Sequence, residues 1–175
     1  MIISVEKAKE LIDLSEWTDE KIGMKLAAIE QAIRSYTNNN FQHRRIRANC
    51  QVMAQKIYGS IPSLKVGDTI QISGSIYNDG LHVTTEIGEE FISVEELLID
   101  ESQVLVTKVD YPADVIDCCL NLMEWEVKNR GKVGVQSETL SRHSVTYYNQ
   151  DAANQVMGYP VSLMGCLKAY RKARF

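Results

Sequence analysis

The spacing of apolar residues changes twice along the chain, and each change marks a change of element. Ile22, Leu26, Ile29, Ile33 and Tyr36 recur at spacings of 4, 3, 4 and 3, the repeat of a helix with one face turned to a core. Thr18 stands where an N-cap is needed, with Asp19 and Glu20 beside the positive end of the helix dipole. Asn38, Asn39 and Asn40 follow the last turn, where Asn competes for backbone hydrogen bonds and tolerates left-handed geometry. A shorter helix is expected before it, capped by Ser4 and running through about Leu11.

From about Arg45 to Val109 the helical period gives way to short β-branched runs broken by glycine, which suits strands with one buried face. The clearest piece is Val66 to Ser75, then Asn78-Asp79-Gly80, then Leu81 to Ile87. It reads as a hairpin with Ile70 and Ile72 facing Leu81, Val83 and Ile87 across a tight turn. Runs at Cys50 to Ile57 and Gln103 to Val109 supply two or three further strands, enough for a small twisted sheet or barrel.

Helical spacing returns after Tyr111-Pro112, with Ile116, Cys119, Leu120, Met123 and Val127 as the expected buried face and an end near Asn129, before the capping Gly131. Residues 131–159 are polar, with one strand-like run from Ser141 to Tyr148, and so long a stretch without a core pattern points to a hairpin arm. Pro160 is expected to open a last short helix with Leu163, Met164 and Leu167 inward. The fold class predicted is therefore α+β. A small helical bundle, residues 1–44 plus 110–175, carries the arm 131–159 and is interrupted by an inserted β module, residues 45–109.

A length of 175 residues, 45% of them hydrophobic, suffices for one core and a small satellite. The 19 Lys and Arg against 23 Asp and Glu leave a net charge of −4, so no global field draws the chain to nucleic acid and any polyanion contact must be local. No strand reads as a basic or aromatic-lined face, which argues against nucleic-acid binding by the β module. Cys50, Cys118, Cys119 and Cys166 form no disulfide framework or CxxC pair in the sequence, as expected in a reducing compartment. The first residues lack the basic and apolar stretches of a secretory signal, and no apolar run reaches about 18 residues, so a cytosolic chain without membrane contact is expected.

Candidate chemistry is thin. His43, His82 and His143 lie in different elements with no carboxylate at a metal-ligand spacing, so no metal site is expected. Cys118 or Cys119 with His143 could pair as nucleophile and base, but helix cysteines of this kind read as small hydrophobes. Gly67, Gly74 and Gly80 punctuate turns and form no phosphate loop. Glu86, Glu89, Glu90, Glu95, Glu96, Asp100 and Glu101 crowd one edge of the β module and read as a solvated face that discourages strand pairing between molecules. No catalytic residue and no cofactor is expected. Lys168, Arg171, Lys172 and Arg174, flanked by Tyr170 and Phe175, form the basic cluster singled out, suited to phosphates or an acidic partner.

Several stretches in combination resemble one family. They are Ile2 to Lys9 at the start, Trp125 to Arg130 with Val133 to Thr139, Ser144 to Tyr147, and the closing Leu167 to Phe175. Over about Met1 to Phe41 and Asp110 to Phe175 the chain resembles the head-tail connector (head completion or adaptor) proteins of long-tailed phages. Simple members are helical bundles. The β module departs from them and looks like inserts carried by connectors of phages or prophages of Gram-positive bacteria.

The resemblance implies a structural protein and not an enzyme. It implies a ring, typically of twelve copies, under the portal protein in the virion, assembled in the host cytoplasm. Such a ring extends the channel through which DNA passes without sequence reading, and docks a stopper or tail completion protein. In that setting Lys168, Arg171, Lys172 and Arg174 are expected to contact portal or DNA, and Arg142, His143, Val145 and Tyr147 to sit on an arm that reaches a neighbour or the lumen. The β module, with its acidic edge, is expected on the outside of the ring. A small binding module, whose β barrel recognises a ligand or protein partner, is the alternative.

Overall fold

A computed structural model describes residues 1–129, 137–140, 143–146 and 154–173. The chain divides into two compact units, Ile2–Asn39 with Pro112–Phe175 and Met1 with Asn40–Tyr111. Mixed helix and sheet is thus partitioned, helices in the first unit and a barrel in the second.

In the helical unit, α1 (Val5–Leu11) begins where the Ser4 side chain accepts from the Lys7 amide, and α2 (Asp19–Thr37) where Thr18 accepts from that of Lys21. Each cap satisfies an amide that the first turn leaves unpaired. The stripe Ile22, Leu26, Ile29 and Ile33 is fully buried. Asn38 ends α2 in left-handed backbone at φ 48°, a conformation Asn tolerates better than most residues. Helix α3 (Ala113–Asn129) starts after Pro112, whose carbonyl accepts from Val115 and Ile116.

The buried face of α3 is Val115, Cys118, Cys119, Leu122, Met123 and Glu126, with Ile116, Leu120 and Val127 only half-buried. It is rotated by about one residue from the expected stripe. On that face Glu126 enters the core, where it accepts from the Tyr159 hydroxyl at 2.8 Å and the Lys25 ammonium at 3.1 Å. A pattern reading that assigns carboxylates to the surface misses this.

Strands β7 (Ser137–Leu140) and β8 (His143–Thr146) pair antiparallel, so part of the arm is a hairpin. A further correction concerns Pro160. It lies in a two-residue strand, β10 (Tyr159–Pro160), paired with β9 (Gln155–Val156) around Met157 and Gly158, both at positive φ. The last helix is a 3-10 helix, Gly165–Tyr170, and it starts after Pro160 rather than on it. Met164 and Leu167 are fully buried as expected, while Leu163 is only half-buried.

In the second unit, β1 (Gln42–Met53), β2 (Lys56–Tyr58), β3 (Thr69–Ser73), β4 (Gly80–Ile87), β5 (Phe91–Val94) and β6 (Glu101–Val109) close an antiparallel barrel in the order β1-β2-β5-β4-β3-β6. Closure leaves no free sheet edge. The interior is packed with Cys50, Val52, Ile57, Ile70, Ile72, Ile92, Val104 and Val106. Its entry and exit are neighbours: the Asp110 amide donates to the Phe41 carbonyl at 2.9 Å, and the Phe41 and Tyr111 rings lie 5.0 Å apart. Adjacent ends let a module sit between two helices of a chain with little constraint on either.

The runs Cys50 to Ile57 and Gln103 to Val109 contribute to three strands, β1, β2 and β6, within the expected number, because Ala54 and Gln55 at φ 49° and 63° turn the chain between Met53 and Lys56. One strand reading needs correcting. In the β3–β4 hairpin Ile70 stands opposite His82 and Ile72 opposite Gly80, so Leu81 and Val83 pair with Gln71 and Thr69 instead. A shift of one residue sends every side chain to the other face. Glu86, Glu89, Glu90, Glu95, Glu96 and Asp100 are exposed, as expected of a solvated face, and β5 runs among them with Ile92 buried inside the barrel.

Candidate functional site

The end of α2 and the basic segment after the 3-10 helix form the site that the helical unit builds most explicitly. The left-handed turn at Asn38 leaves the last carbonyls of α2 without helical partners, and the Lys172 amide donates to one of them, that of Thr37, at 2.8 Å. Asn38 Nδ2 donates to the Ala173 carbonyl at 2.9 Å, and Asn39 Nδ2 to the Tyr170 carbonyl at 3.3 Å. Lys172 Nζ returns a bond of 2.6 Å to Asn39 Oδ1. The asparagines that stop the helix thus also receive the C-terminal segment.

From the other side Tyr170 donates its hydroxyl to both carboxylate oxygens of Asp114, at 2.6 and 2.7 Å. Accepting that proton bond, and repelling a phenolate, Asp114 raises the Tyr170 pKa above 10.0. The Arg171 guanidinium lies 5.2 Å from the Tyr36 ring centroid, within cation–π range. Arg171 and Lys172 border a cleft of about 570 Å³ whose floor includes Ser35, Tyr36 and Met157. What the arrangement offers is a pair of cations at fixed positions beside a polar recess, a chemistry for carboxylate or phosphate groups.

Of the residues expected to make the basic contact, Lys168 is exposed on the 3-10 helix and Arg171 and Lys172 follow it in the anchored segment. Arg174 lies outside the described residues, as does Phe175. Of the arm residues, Arg142 and Tyr147 lie outside them too, while His143 and Val145 belong to β8, in register with Leu140 and Glu138.

The thiols are arranged differently from the sequence expectation. Cys118 forms a disulfide with Cys166, 48 residues away, linking α3 to the 3-10 helix. Burial, with the negative charge of Glu30 nearby, pushes the Cys119 thiol up to about 12, and burial raises that of Cys50. Neither presents a thiolate at neutral pH. His82 is buried, with Nδ1 3.0 Å from Glu96 and Nε2 3.0 Å from the Asn78 carbonyl, and it ties the loop before β4 to the segment after β5. Among the described residues no group of three or more His, Cys, Asp or Glu side chains could hold a metal ion. No described helix is long and apolar enough to cross a membrane.

One feature of the barrel went unread in the sequence. Arg44, Arg45 and Arg47 are all exposed on β1 and have no ion-pair partner among the described residues. The barrel does carry a basic strand, and the signal was the Arg-Arg-Ile-Arg run itself. No family model and no curated protein matches the chain.

Proposed function

We propose that the chain is a structural subunit of a tailed-phage neck, forming a ring under the portal that extends the DNA channel and docks the stopper or tail. The reading starts from the resemblance of the two helical flanks. The observation that carries it furthest is the anchored basic segment, where four hydrogen bonds to Thr37, Asn38 and Asn39 hold Arg171 and Lys172 in place. Cations ordered before binding lose little freedom when they meet an acidic surface, so more of the interaction appears as affinity. Under this reading that surface belongs to the portal. The β7–β8 hairpin is the arm, directed to a neighbouring copy or the lumen. The work of such a subunit is docking, and it requires no nucleophile or cofactor.

The test is co-sedimentation of the full chain with its portal at several ionic strengths. Arg171→Ala with Lys172→Ala is expected to weaken binding at least about fivefold at low salt, with the difference shrinking as salt screens the contact. Binding unchanged by the double substitution at low salt contradicts the reading.

A further inference from the structure

The barrel carries a run of arginines on β1 and a run of glutamates on the β4–β5 hairpin. In its closed order, β4 stands three strands from β1 in either direction, directly across the barrel. On β1 the inward positions are Ala48, Cys50 and Val52, so Arg45 and Arg47 project outward on one face, with exposed Arg44 beside them where the β1–β6 register shifts. Across the barrel, the β4–β5 hairpin carries Glu86, Glu89 and Glu90, all exposed, around a turn that the Gly88 amide closes onto the Phe91 carbonyl at 2.8 Å. Glu86 receives one long bond from the Ser93 hydroxyl, at 3.4 Å. None of the three carboxylates has an ion-pair partner among the described residues.

Several other charges of the barrel are engaged internally. Lys108 pairs with Asp68 at 2.7 Å, Glu96 with His82, and Lys56 lies over the Phe91 ring at 3.8 Å. Arg44, Arg45 and Arg47, and Glu86, Glu89 and Glu90, are in no ion pair among the described residues, so no internal pair need break for them to be used.

We propose that barrels of neighbouring copies dock head to tail, with the Arg44, Arg45 and Arg47 strand of one against the Glu86, Glu89 and Glu90 hairpin of the next. This rests on the ring reading above and names the contact between its subunits. A two-fold contact through either face would bring like charges together, whereas a heterologous contact brings opposite ones together. Faces on opposite sides let the contact repeat from copy to copy, which yields a ring when the rotation closes. Exposed pairs contribute mostly orientation and selectivity, so the barrel contact sets which faces meet.

The experiment is a charge exchange in the full chain, followed by sedimentation velocity at low and high ionic strength. One variant carries Arg44→Glu, Arg45→Glu and Arg47→Glu, the other Glu86→Lys, Glu89→Lys and Glu90→Lys, with thermal melting to confirm that each is folded. Wild type is expected to self-associate at low salt, and each variant alone to associate at least about tenfold more weakly. Mixed in equal amounts, the two variants should associate again, because their faces are then opposite in charge. A wild type that stays monomeric at low salt overturns the proposal, as does a mixture that associates no better than its parts.

Imaging on the portal separates the two levels of the account. Rings formed equally well by both variants would overturn the barrel contact and leave the ring reading standing. A portal that takes up no wild-type chain, while the variants still re-associate on mixing, would overturn the ring reading alone.

Discussion

Replacing Asn39 with Ala should release the basic segment without unfolding the unit that carries it. Asn39 is 8% exposed, and its side chain makes two bonds to that segment, from Nδ2 to the Tyr170 carbonyl and from Lys172 Nζ to Oδ1. The first, at 3.3 Å between neutral groups, is worth about 0.5–1 kcal/mol. The second has a charged donor, but Lys172 is exposed and water competes for it, so about 1 kcal/mol is appropriate. The sum, about 1.5–2 kcal/mol, corresponds to an increase of roughly 10- to 30-fold in the population with the segment detached.

The Lys172 amide bond to Thr37, the Asn38 bond to Ala173 and the Tyr170 bonds to Asp114 remain, so detachment stays local. Hydrogen exchange of the amides from Leu167 to Lys172, with tryptic cleavage after Lys168 and Arg171, reads this population directly when reclosing is faster than exchange or cleavage. Both rates should rise by about the computed factor of 10–30, while α2 amides keep their protection. Asn38→Gly, which keeps the left-handed turn and loses one bond, should produce a smaller rise. Exchange within about twofold of wild type would refute the anchoring, and loss of protection throughout α2 would refute its local character.

Glu126→Ala removes the buried acceptor of the Tyr159 hydroxyl and the partner of Lys25, and should cost about 3–5 kcal/mol in chemical denaturation, while Glu126→Gln, which still accepts from Tyr159, should cost less. A loss below about 1 kcal/mol for the Ala variant contradicts that assignment. Cys119 ionises in the folded state only near 12, above the ordinary thiol value of 9.0, so the unfolded chain releases its proton first and stability should fall as pH rises from 9.0 toward 12. In the native chain at neutral pH, iodoacetamide should leave Cys119 unmodified, which peptide mass spectrometry checks.

The Ile76 amide, the Ser75 hydroxyl and the Asn78 side chain hold the Glu101 carboxyl below its usual 4.5. Its contribution is present above pH 4.5 and is lost as pH falls through the lower folded value. Exchange of the Ile76 to Asn78 amides should accelerate over that range and not above it.

Elements set by local rules were legible in the sequence. Helix α2 has a polar cap at Thr18, an uninterrupted apolar stripe and an asparagine stop, and every one of these acts within a few residues. What long-range partners decide was not legible. Asn78-Asp79-Gly80 has the composition of a tight turn, yet Asn78 is buried, with its amide bonded both ways to Ile99 and to Glu101. That pulls it out of the turn and moves the β3–β4 register by one residue. The β1–β2 turn uses Ala54 and Gln55 at positive φ, where no Gly or Asn announces it.

At the candidate site the basic residues were legible from composition, but not their anchoring. The partners of Lys172 and Tyr170 lie at Thr37, Asn39 and Asp114, 56 or more residues away. The arginines of β1 became a feature only when closure set β1 opposite the acidic hairpin. The same distance in sequence hid the Cys118–Cys166 pairing.

The central claim, a ring subunit beneath a portal, is tested most directly by negative-stain electron microscopy of portal particles incubated with the full chain. An added ring of density coaxial with the portal, in register with its subunits, is the predicted result. Portal particles with no added density, at chain concentrations far above those of the portal and at low ionic strength, would contradict it.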